Sequence, residues 1–112
     1  MRIRPLARIP QRPAPGSPSV RVRTIGRTAA VGLKVITMGP RSSTQLHSHS
    51  HRHLVIVLGG SGRVEDGEGD RQIGPDDVIV TAPDEPHAFS AGPDADLRFV
   101  CLDASGTVPR NS

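Results

Sequence analysis

Turn-forming residues interrupt this chain at intervals too short for a helix, and that spacing constrains its fold more than any other feature. Gly39-Pro40, Gly59-Gly60-Ser61-Gly62, Gly67-Glu68-Gly69, Gly74-Pro75, Pro83 and Pro86 punctuate the sequence. Proline removes a backbone donor and glycine opens positive φ, so each is a natural stop. Between the stops lie short apolar-rich runs at residues 20–23, 33–38, 46–49, 53–58, 62–66, 70–73, 78–81, 87–90 and 97–102. The run at 53–58 is continuously apolar after His53, as expected for a strand buried on both faces or set in a barrel wall. No segment keeps a helical period over three turns. Many short strands at this spacing predict an all-β sandwich or barrel.

Composition points the same way. The 112 residues contain no Trp or Tyr and 2 Phe, so the core must be built from Val, Ile and Leu, which pack well on a pleated face. The length fits one domain. Residues 1–19 read as an Arg/Pro-rich N-terminal tail, extended from Gln11 on, with an edge strand available through Ile3, Leu6 and Ile9. Residues 20–105 form the barrel and residues 106–112 a flexible C-terminal tail.

Several function classes are disfavoured. No apolar run is long enough to span a bilayer, and no apolar segment follows the N-terminal arginines as a secretory signal requires. Cys101 is the one cysteine, so no intrachain disulfide forms, and a cytoplasmic location is the default expectation. All 11 acids fall at or after Glu65, whereas only Arg71, Arg98 and Arg110 of the 14 basic residues do. A basic first half raises the question of nucleic acid. The cations are spread along the chain, no helix-turn-helix pattern occurs and stacking aromatics are scarce, which argues against such a partner. Pairing of oppositely charged halves within one barrel is the simpler expectation.

The chemistry lies in the histidines. Four of the 5 are His47, His49, His51 and His53, leading into the most apolar strand, and the fifth is His87. Alternate residues of a strand share a face about 6.6 Å apart, so His47 and His49 can converge on one ion. A straight strand would carry His53 about 20 Å from His47, so the chain must bend for a third histidine to join them. On geometry alone His51 or His53 fills that role. His87, set by Pro86 at the start of a strand, is the remaining candidate ligand.

These residues resemble the cupin superfamily. Its first motif has Gly, five residues, His-x-His, three or four residues, Glu, six residues and Gly. His47-Ser48-His49, His53 and Gly60 follow that spacing, with His53 in place of the Glu and Arg41 at the leading Gly. The second motif runs from Gly74 to His87, with Asp76, Ala82 and Asp84 where Gly, Pro and Gly are usual. The resemblance covers residues 30–103. It implies a single cupin-type jelly-roll barrel of two antiparallel sheets. It also implies one divalent metal ion per chain, held by His47, His49, His53 and His87, with His51 beside the site. The set is similar to four-histidine cupins, which include manganese-binding oxidative cupins and zinc- or iron-type polyketide cyclases. Mn or Fe is therefore favoured, with Zn, Ni or Cu as alternatives, and a homodimer is implied.

Four neutral imidazoles leave the charge of a divalent ion uncompensated, so such a site favours an anionic ligand. A six-coordinate ion would keep two positions open, as a dioxygenase-like cleavage of a small organic substrate needs; tetrahedral zinc would be closed. Val55, Val57, Phe89, Phe99 and Cys101 are candidate pocket-lining residues, with ordinary core packing the alternative for them. The apolar strand around Cys101 should raise its thiol pKa and leave it a poor nucleophile. The functional expectation is a metal-dependent oxidoreductase, or a lyase or cyclase, with no catalytic residue assigned. A non-catalytic small-molecule binding or sensing module is the alternative.

Overall fold

A computed structural model of the chain describes residues 1–44 and 52–104. Nine strands account for most of it: β1 (Arg12–Ala14), β2 (Ser17–Arg27), β3 (Val31–Met38), β4 (Arg52–Gly59), β5 (Gly62–Glu65), β6 (Asp70–Ile73), β7 (Val78–Thr81), β8 (Ala88–Ala91) and β9 (Leu97–Ala104). They form a six-stranded sheet, ordered β1-β2-β3-β9-β4-β7, and a three-stranded sheet, ordered β6-β5-β8. Every pairing among the described strands is antiparallel. This is a jelly roll of two sheets, as expected, although among the described residues the two sheets do not close into one continuously hydrogen-bonded barrel. The strand expected at 46–49, with His47 and His49, lies outside the described residues.

The N-terminal edge falls elsewhere than anticipated. Leu6–Arg8 form a single 3-10 turn. The added edge strand is β1, which returns through Gly16 (φ 72) to pair with β2. Pro13 is tolerated there because an edge strand need not donate every N–H.

Side-chain alternation explains how the large sheet packs. On β4, Val55 and Val57 are buried, while Ile56 and Leu58 point outward, 47% and 45% exposed. Cross-strand register continues the buried face: Val55 pairs with Cys101 and Val57 with Phe99. On β3, Ile36 stands opposite Phe99 and Met38 opposite Leu97. Val64 and Phe89 from the small sheet pack against this layer. Phe89 and Phe99 stack with centroids 4.9 Å apart. Each fully buried large side chain contributes roughly 1.5–3 kcal/mol.

Among the described residues, three other than glycine adopt left-handed φ: Arg41 (64°), Asp76 (71°) and Asp84 (64°). All three occupy positions where the cupin motifs have glycine. The turns have kept the backbone that glycine would supply and accept the strain of a side chain there. Gly60, with φ 80°, keeps its glycine for a second reason: a Cβ there would collide with the Asp96 carbonyl oxygen.

Ion pairs Arg21–Asp96, Lys34–Asp103 and Arg63–Asp70 join the basic and acidic parts of the chain.

Candidate metal centre

The two sheets bring His53 and His87 together. His53 is the second residue of β4, on the same inward face as Val55 and Val57. His87 precedes β8 and is 5% exposed. Their ring centroids lie 5.3 Å apart at 64°. The turn before His87 is built for aim. Asp84 takes its left-handed φ, the Glu85 N–H donates to the Ala82 carbonyl at 3.2 Å, and the Ala82 N–H donates to Glu85 Oε2 at 2.9 Å. His87 Nδ1 then lies 3.0 Å from the Glu85 carbonyl oxygen. A carbonyl only accepts, so Nδ1 is the donor in this contact, and in the neutral ring Nε2 then carries the lone pair. A backbone carbonyl that accepts from the far ring nitrogen in this way is characteristic of histidine metal ligands.

The residue paired with His53 across β9 is Asp103. His53 Nε2 is 3.3 Å from Asp103 Oδ1. Lys34, inward on β3, places Nζ 3.2 Å from Asp103 Oδ2. Cys101 donates its S–H to Asp103 Oδ1 at 3.4 Å and lies 4.0 Å from His53 Nδ1. Burial pushes the Asp103 carboxyl up. The Lys34 ammonium, then His53, with hydrogen bonds from Lys34 and Cys101, outweigh burial and hold the carboxyl below its ordinary range. The Cys101 thiol is pushed up to about 12, chiefly by burial and then by the Asp103 charge. It is a protonated donor here, as its apolar strand suggested.

A polar rim therefore lies on an apolar barrel. Register sets Gly32, Asp103, His53 and Thr81 side by side in one row across the sheet. The next row holds Lys34, Cys101, Val55 and Ile79. Below it the barrel is filled. Val55, Val57, Phe89, Phe99 and Cys101 are all buried and belong to one packed cluster. The cavity that reaches His87, about 370 Å³, is lined instead by residues such as Thr81, Ile79, Val64 and Glu85. Thr81 is 4% exposed, and its Oγ1 has no hydrogen-bond partner among the described residues.

Of the residues expected at the metal, His53 and His87 converge; His47, His49 and the neighbouring His51 lie outside the described residues. Ligand atoms of His53, Cys101 and Asp103 all fall within 4.8 Å of one another. Imidazole and carboxylate donors at this separation fit a divalent first-row cation. Asp103 and Lys34 were missed from sequence. The available signal was strand parity, because Phe99, Cys101 and Asp103 alternate onto one face, as do Lys34, Ile36 and Met38.

A jelly roll with a histidine and carboxylate cluster at one mouth of a packed barrel defines the class. Residues 34–103 match the cupin domain, and the chain belongs to the cupin family. It is 30% identical over 70 residues to 1-methylthio-D-xylulose 5-phosphate methylsulfurylase of Rhodospirillum rubrum, an alignment covering 62% of this chain. The match takes in 45% of that relative, so the chain spans less than half the length of the curated protein it matches. Among solved structures, it is similar to the polyketide cyclase RemF from Streptomyces resistomycificus, with TM-score 0.83 and 23% identity over 97% of this chain and 82% of that one. It is equally similar to a predicted oxalate decarboxylase from Thermotoga maritima, with TM-score 0.83 and 23% identity over 93% of this chain and 98% of that one. Among the described residues, no helix is long and apolar enough to cross a membrane.

Proposed function

We propose that this cupin is a metal-dependent enzyme acting on a small organic substrate at the barrel mouth, with an oxidoreductase of dioxygenase-like type as the leading reading. One observation carries it: His53 of β4 and His87 before β8 meet at 5.3 Å between ring centroids, and the Glu85 carbonyl 3.0 Å from His87 Nδ1 favours the tautomer that histidine metal ligands use. His53 and His87, with His47 and His49, are the proposed ligands, and Mn or Fe the proposed ion. When bound, the ion supplies a Lewis acid and a redox centre that polarise an anionic substrate. The residues around it do the rest. His87 keeps its proton on Nδ1, Lys34 offers a cation to an anionic substrate, and the stacked phenylalanines exclude water from below. A lyase or cyclase is the second reading, favoured by structural likeness to a polyketide cyclase over nearly the whole chain.

Metal analysis of tag-free, chelator-free protein tests the reading. About one ion per chain, lost in His53→Ala and in His87→Ala, is the expected result, with Mn or Fe leading to oxygen-uptake assays. No ion in the wild type, and none taken up on titration, overturns it. A homodimer and a cytoplasmic setting are proposed with it. The outward Ile56, Leu58, Val78 and Val80, each at least 44% exposed, support a second copy on that face. Charged substitutions on that face, Ile56→Lys together with Val78→Lys, are expected to give monomers by light scattering, and an unchanged dimer would assign the interface elsewhere.

A further inference from the structure

We propose that Asp103 restores to the metal site the carboxylate that His53 displaced, entering from β9 instead of β4, and that Lys34 sets its charge. This rests on the metal-site reading above and deepens it. The argument is geometric. Two donors about 2.1 Å from one ion, at angles between octahedral and tetrahedral, stand about 3.0–3.4 Å apart. His53 Nε2 and Asp103 Oδ1 stand 3.3 Å apart on directly paired residues, so one ion fits against both. The second oxygen is already held: Lys34 Nζ is 3.2 Å from Oδ2. Cys101 donates to Oδ1 from one side, fixing the carboxylate's rotation. The carboxylate is thus a second-strand ligand with its outer oxygen clamped, on a side chain 15% exposed.

The carboxylate lowers the uncompensated charge that imidazoles alone would leave on a divalent ion, and Lys34, 3.2 Å from its outer oxygen, gives part of that charge back.

Titration of the metal-free full-length chain with Co(II) and with Mn(II) tests this. It is followed by visible absorption and by electron paramagnetic resonance, on wild type, Asp103→Asn, Asp103→Glu and Lys34→Met. Asp103→Asn should weaken binding at least tenfold and alter the Co(II) spectrum, and Asp103→Glu should recover part of both. Lys34→Met should tighten binding several-fold, since it removes a competing cation while leaving the carboxylate; this variant carries the test if Asp103→Asn fails to fold. Equal affinity and identical spectra in wild type and Asp103→Asn would overturn this inference alone. So would weaker binding in a folded Lys34→Met. No uptake by the wild-type chain would overturn it together with the metal-site reading.

Discussion

Arg41→Gly should make this protein more stable, although it deletes a side chain. Arg41 sits at φ 64°, follows Pro40 at the end of β3 and is exposed. Its guanidinium has no ion pair among the described residues, so little is lost with it. A left-handed conformation costs an ordinary L residue roughly 1–2 kcal/mol, which glycine avoids. Against that, glycine gives the unfolded chain extra freedom worth about 0.5–1 kcal/mol. The difference is a net gain of about 0.5–1 kcal/mol. For a domain of this size it should raise the melting temperature by roughly 2–6 °C. The backbone bond from the Arg41 N–H to the Gly92 carbonyl, 3.0 Å, survives the substitution. Thermal unfolding followed by circular dichroism is the assay, with Arg41→Ala as the control. Alanine removes the same guanidinium but keeps the strained φ, so it should not stabilise. A melting temperature for Arg41→Gly at or below that of Arg41→Ala would refute the reasoning. Asp76→Gly and Asp84→Gly should gain less, because aspartate tolerates the left-handed region better than most residues.

Phe99→Ala should destabilise the fold by about 3–5 kcal/mol in urea unfolding, since it empties a fully buried position and unstacks Phe89. Cys101 in the native protein at pH 8 should react with a thiol reagent only as fast as the protein opens, and rapidly once urea unfolds it, because its thiol is buried and titrates near 12. The same shift gives a stability slope. The unfolded thiol ionises near 9.0 while the folded one resists to about 12, so stability is intact below 9.0 and falls as pH rises between those values. Cys101→Ala should flatten that alkaline limb relative to wild type, and an unchanged slope would assign it to other groups.

Local chemistry made much of this protein readable in advance. The turns at Gly59-Gly60, Gly67 and Gly74-Pro75 delimit β4 to β7, because glycine and proline act on the backbone whatever surrounds them. Phe99 and Cys101, two apart on a strand, share a face and are both buried, whereas the apolar run after His53 turned only Val55 and Val57 inward and left Ile56 and Leu58 outside. Motif spacing singled out His53 and His87 as candidate ligands, and the fold brings their ring centroids to 5.3 Å. The N-terminal segment was harder. Its edge strand lies at Arg12–Ala14 and not through Ile3, Leu6 and Ile9, because an edge strand is chosen by the neighbour available to pair and not by its own pattern. Only tertiary structure decided what stands beside His53. Register pairs it with Asp103 from the far end of the chain, and β3 then delivers Lys34 to the same carboxylate. An Asp at a strand end and a Lys in mid-strand each look solvent-bound in isolation. Their charges can stay inward because each is the other's partner, and that pairing exists only once β3, β9 and β4 lie side by side.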